Sequence, residues 1–191
     1  MSSLVISGDT SGTVTVAAPA VAGSNTLTLL AATATNSVNT LATAVASTSG
    51  TSIDFTGIPS WVKRITVMFG ATSTNNASSK LIRLIYGGTT VVSTGYRSSS
   101  ARINAATAAE ASDTTGFLLY SQSAADDMYG SYVLTNLSGN IWVGTGAVTT
   151  ATGGLYSSGG VTISGTLTGI RITSVTPDTF DAGTINILYE G

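Results

Sequence analysis

The sequence contains no cysteine and no histidine in 191 residues. The first absence removes disulfides and thiolate chemistry. The second removes the commonest general base near neutral pH, and together they remove the usual zinc ligands. No catalytic, cofactor-binding or metal-binding residue is assigned, and the chain is not expected to be an enzyme. Charge is almost as scarce. Charged residues make up 8% of the chain, against about 25% in an ordinary soluble domain, and none lies between Asp9 and Asp54. Glu, Lys and Leu, the residues that favour helices, are too few for a helical bundle. What the chain has is Ser, Thr, Ala and Gly, so its solubility rests on hydroxyls and backbone. That composition points to an all-β fold.

The seven basic residues are Lys63, Arg64, Lys80, Arg83, Arg97, Arg102 and Arg171, and the net charge is −2. They form no cluster able to neutralise a run of phosphates, which argues against nucleic acid as a partner. The same scatter argues against an anionic membrane surface. The uncharged stretch "TVTVAAPAVAGSNTLTLLAATATNSVNTL" is broken by Pro19 and by frequent Asn and Thr. It falls short of the roughly 20 apolar residues a membrane span needs. The start "MSSLVISGDTSG" lacks the basic and apolar regions of a signal peptide, so synthesis in a cytoplasm without export by that route is expected.

Three regions follow from the patterning. In residues 1–30, Leu4 and Ile6, Val14 and Val16, and Leu27 and Leu29 alternate with polar residues around the turns "GDTSG" and "GSN". They predict short strands and are the candidate docking and oligomer contacts. Isolated strand pairs are marginal in water, so this arm needs sister chains or a host surface. Residues 31–50 read as a low-complexity linker, with Ala31, Ala34, Val38, Leu41 and Val45 leaving open a short three-chain coil. From Thr51 to Gly191, strand signals recur every 8 to 12 residues or so, as in "TSIDF", "KRITVMFGA", "KLIRLIYG", "NIWVGTGAV" and "TINILYEG". They predict an antiparallel β-sandwich of jelly-roll type. The stretch "RSSSARINAATAAEASDTTG" reads as a long loop with room for a helical turn or two, and "SSGG" as turn material.

Within "FTGIPSWVKRITVMF", Pro59 and Ser60 predict a turn into a strand whose Ile65, Val67 and Phe69 face the core. Lys63 and Arg64 at its start read as a solvated rim, with an inter-subunit ion pair as the alternative.

Sequence motifs for chemistry fail on context. "SWVK", Ser60 to Lys63, has the S-x-x-K spacing but follows a proline into a strand and lacks the companion elements. "GTGAVT", from Gly144, has Thr149 where a third glycine belongs. Asp126 with Asp127, and Asp178 with Asp181, are the acidic groupings; loop aspartates of this kind more often form turns or caps than hold Ca²⁺ or cleave a glycoside. "NAS" at Asn76 and "NLS" at Asn136 match a glycosylation pattern that has meaning only in a secreted chain. Among the Tyr and Trp residues, Tyr96 and Tyr156, flanked by "STG" and "SSGG", are the candidate exposed ligand-binding aromatics.

The stretch "SGDTSGTVTVAAPAVAGSNTLTL" resembles a segment of virion surface proteins of tailed bacteriophages, including fibre, collar and head-decoration proteins. "TSIDFTGIPSWVKRITVMFGATSTN" and "GIRITSVTPDTFDAGTINILYEG" resemble the first and last strands of a domain in the same kinds of protein; residues 76–168 match in strand rhythm only. The resemblance implies a non-enzymatic homotrimeric β-rich projection on the virion surface, bound to the major capsid protein or another virion protein. Fibre proteins with these segments often carry an anchoring region ahead of the first match, which here begins at residue 7. A chain this short suits a capsid decoration, cement or head-fibre protein at least as well as a tail fibre. The alternatives are a tail fibre that binds host surface polysaccharide and, more remotely, a glycan-degrading enzyme.

Overall fold

A computed structural model of the chain describes residues 3–7, 13–17, 39–105 and 107–191. The chain divides into two compact units, Met1–Asn36 and Ser37–Gly191. Among the described residues there is no helix, and the strand pairings are antiparallel.

In the first unit, β1 (Ser3–Ser7) pairs with β2 (Thr13–Ala17), in a register that sets Leu4 opposite Val16 and Ile6 opposite Val14. The sequence alternation therefore marks two real strands. Leu27 and Leu29 lie outside the described residues.

The second unit begins with β3 (Asn39–Leu41), β4 (Val45–Ala46), β5 (Ser52–Thr56), β6 (Arg64–Thr74), β7 (Lys80–Tyr86) and β8 (Thr90–Val91). It continues with β9 (Arg97–Ile103), β10 (Ala108–Asp113), β11 (Phe117–Leu119), β12 (Met128–Ser138) and β13 (Ile141–Thr150). The last three are β14 (Gly153–Thr162), β15 (Leu167–Ser174) and β16 (Phe180–Glu190). A nine-stranded sheet runs β10-β9-β14-β13-β12-β6-β16-β3, with β4 also on β16. A smaller five-stranded sheet runs β11-β7-β15-β5, with β8 on β7. The two form a β-sandwich because each presents an apolar face in period two. Ile65, Val67, Ile185 and Ile187 of the large sheet share one core with Ile82, Leu84, Ile170 and Ile172 of the small sheet, all essentially inaccessible to water.

Three expectations are corrected. The linker assigned to residues 31–50 is, from Asn39 onward, part of the sandwich: Asn39–Leu41 and Val45–Ala46 pair with β16. Ala42 N and Ser47 N add bonds to Ile187 O and Gly183 O. The reason is that β16 would otherwise leave one edge unpaired. The supposed loop "RSSSARINAATAAEASDTTG" is the hairpin β9–β10. Its Ser98 and Ser100 turn inward, and their hydroxyls accept hydrogen bonds from Leu118 N at 2.8 Å and Tyr120 N at 3.1 Å. Serine here joins the two sheets by bonding to backbone, so no hydrophobic signal marks the strand. "SSGG" is likewise the middle of β14, where the glycines allow close approach: a Cβ at Gly159 would stand 2.6 Å from Arg97 O.

Candidate functional site

Two regions of the sandwich concentrate polar groups. The first is buried at one end of the core. Lys80 opens β7 in phase with Ile82 and Leu84, so its side chain goes inward; it is fully buried and its Nζ has no hydrogen-bond partner. Burial pushes its pKa down, and the carboxylates of Asp126, Asp178 and Asp181 oppose that shift. The two acidic groupings marked in the sequence are therefore brought toward a single lysine. The sequence carried one signal of this, a charged residue at a core-facing position of a strand.

Asp126 is fully buried. Ser121 Oγ and Gln122 N donate to its Oδ2 at 3.0 and 3.2 Å, Thr152 Oγ1 donates to Oδ1, and Arg102 Nη1 lies 3.4 Å away. Burial would raise its pKa, but the Thr152, Gln122 and Ser121 hydrogen bonds with the Arg102 charge outweigh it and hold the carboxyl below its usual range. Asp178 accepts from Ser78 N at 3.1 Å and from Thr176 Oγ1 at 3.3 Å, and Asp181 accepts from Ser73 Oγ. These aspartates tie loops to strands. Among the described residues no three Asp or Glu side chains gather as a metal site would require.

The second region is the outward face of the large sheet. The register aligns Glu110, Ala101, Tyr156, Ala147 and Ser131 in one rank across β10, β9, β14, β13 and β12. The next rank carries Ser99, Ser158 and Thr145. Because these side chains are small, the ranks form a trough of about 610 Å³. Tyr156 stands in it, 55% exposed, with alanine on both neighbouring strands. Its ring end lies over Gly154: a Cβ built there would meet Tyr156 Cε2 at 3.4 Å and Oη at 3.5 Å. The ring end thus rests beside its own strand while much of the residue stays open to solvent.

Of the two candidate aromatics, Tyr156 is exposed as expected and Tyr96 is not. Tyr96 is 1% exposed; its ring meets Phe117 edge-on at 5.2 Å, and its hydroxyl accepts from Leu84 N and donates to Val92 O. The correction has a physical cause. β8 ends at Val91, and the following chain folds the phenol into the core, where both hydroxyl functions are satisfied. Tyr129, also half exposed, was not singled out by sequence.

Arg64 Nε sits 3.4 Å from Glu190 Oε2 of the same chain, and Lys63 is exposed. No helix among the described residues is long and apolar enough to cross a membrane. In comparison with known proteins, no family model, no curated protein and no solved structure matches the chain.

Proposed function

We propose that the chain is a non-enzymatic structural protein of a tailed-phage virion. In this reading it is a homotrimeric capsid decoration, cement or head-fibre protein, built on a jelly-roll-type sandwich and attached through its N-terminal unit to the major capsid protein or another virion protein. The observation that carries the proposal is the division of the chain between a sandwich with its own core and a separate unit containing the β1–β2 pair. Two five-residue strands are marginal on their own, so a partner surface or sister chains give the pair a reason to exist. The resemblance of residues 7–29 to virion surface proteins supplies the setting. The sparsely charged, Ser- and Ala-rich outer face of the large sheet suits a protein displayed at high density, where like charges on neighbouring copies would repel.

The test is a chain lacking residues 1–36, mixed with particles stripped of this protein. The expected result is a sandwich that still unfolds cooperatively but no longer binds; binding equal to the full chain sinks the proposal. Cryo-electron microscopy of intact particles then separates a capsid position from a tail position.

A further inference from the structure

We infer that the trough around Tyr156 is a binding site for a saccharide chain that carries no acidic groups. The inference rests on the sandwich alone and holds for any attachment of the N-terminal unit.

The chemistry is read from the rank. An exposed phenol whose ring end lies against Gly154, with only Ala101 and Ala147 opposite it on the neighbouring strands, offers accessible aromatic surface within the trough. The C–H face of a pyranose matches such a surface, and desolvating both is favourable. Around the ring stand hydroxyls, Ser99, Ser158, Ser131 and Thr145, placed by the pleat to exchange hydrogen bonds with sugar hydroxyls. Glu110 lies in the same rank two strands away, roughly 10 Å at the usual strand spacing. Among the residues lining the trough it is the one charged side chain, and no Lys or Arg lines it. A carboxylate without a basic neighbour repels uronates, sialic acids and phosphates, whereas it accepts hydrogen bonds from neutral hydroxyls and attracts an amino sugar. The trough volume falls within the range of small-molecule sites, about 300–1,000 Å³.

Gly154 provides the discriminating variant. In Gly154→Val the β-carbon branches must meet the ring and lift it from the strand, yet valine suits a strand and Tyr156 remains present. The experiment titrates the full chain calorimetrically with maltohexaose, chitohexaose, a chitosan hexamer and an oligogalacturonate. Binding of at least one of the first three is expected, weakened at least about tenfold by Tyr156→Ala and by Gly154→Val, and preserved within about threefold by Tyr156→Phe. Glu110→Gln is expected to weaken the chitosan hexamer selectively. The inference is overturned by silence of all four sugars at millimolar concentration, by binding of oligogalacturonate alone, or by binding indifferent to the Tyr156 and Gly154 variants. It is equally overturned if Tyr156→Ala lowers the oligomeric state in sedimentation, because the trough is then a contact between copies.

Discussion

The backbone amide of Leu84, in the middle of β7, donates its hydrogen bond to the phenolic oxygen of Tyr96 at 2.8 Å. A side chain thus completes a buried strand where β8 has already ended. Tyr96→Phe leaves that amide without an acceptor and is expected to cost about 1–3 kcal/mol. Urea unfolding of the variant checks it; an unchanged midpoint would mean that water or another oxygen replaces the phenol.

Lys80→Met is expected to stabilise the sandwich, by about 1–3 kcal/mol at pH 7, because it removes a buried ammonium without a hydrogen-bond partner. The sign is checked by pH. The folded pKa of Lys80 lies below its unfolded value, so between the two the unfolded chain binds more protons and stability of the parent protein rises with pH. The advantage of the methionine variant should therefore shrink as pH climbs toward about 10. A destabilised variant would show that the three aspartates need the lysine charge.

At the acid end, Asp126 has its pKa held down, so its contribution is present above the ordinary carboxylate range and is lost as pH falls through the folded value. Asp126→Asn should cost about 3–5 kcal/mol at neutral pH by leaving Arg102 buried without its carboxylate. The variant should also flatten the loss of stability below about pH 4. Thermal unfolding from pH 2 to 7 reads both. In strong alkali, burial holds the phenols of Tyr96 and Tyr132 protonated above their usual range, so stability should fall above about pH 10 as the unfolded phenols ionise.

A chain begun at residue 37 should fold as a soluble sandwich, whereas one begun at residue 51 should be less stable and prone to associate. The shorter chain lacks β3 and β4, and also the Ser47 hydroxyl that donates to Ala182 O at 2.7 Å. Its β16 edge is then open to pairing with another chain. Light scattering during expression and refolding distinguishes the two; equal behaviour would make the Asn39–Ala46 segment dispensable.

Gly146→Ala should destabilise the large sheet by about 1–3 kcal/mol, since the added Cβ would stand 2.5 Å from Tyr132 Cδ2 and 2.8 Å from Ser131 O. Circular dichroism melting checks it, and a neutral result would show that the Tyr132 ring has room to shift.

Strands were legible in the sequence wherever the core is aliphatic, as in "KRITVMFGA" and "TINILYEG", because alternating Ile and Val report a buried face directly. They were illegible where the inward side chains are serines, as at Ser98, Ser100 and Ser157, because burial there is stabilised by bonds to the facing backbone. Pairing partners brought by long-range closure, such as Asn39–Leu41 on β16, leave no local pattern to read. The same holds for the candidate site. Tyr156 was recognisable as an aromatic among small residues, but the rank that joins it to Glu110 and the glycine beneath it exist only through register. Asp126 and Asp178 stood out as acidic loops, and the core-facing phase of Lys80 marked it as buried, but which carboxylates lie toward it is set only by the fold.

The position of β16 carries a consequence for biosynthesis. It is the final strand of the sandwich, yet it sits inside the large sheet, between β6 and the β3–β4 segment. Both neighbours leave the ribosome early and must wait, edges open, for a partner translated more than a hundred residues later. The large sheet therefore cannot close before β16 itself has been translated. Until it is made, the facing edges of β6 and of the β3–β4 segment stand open to pairing with other strands.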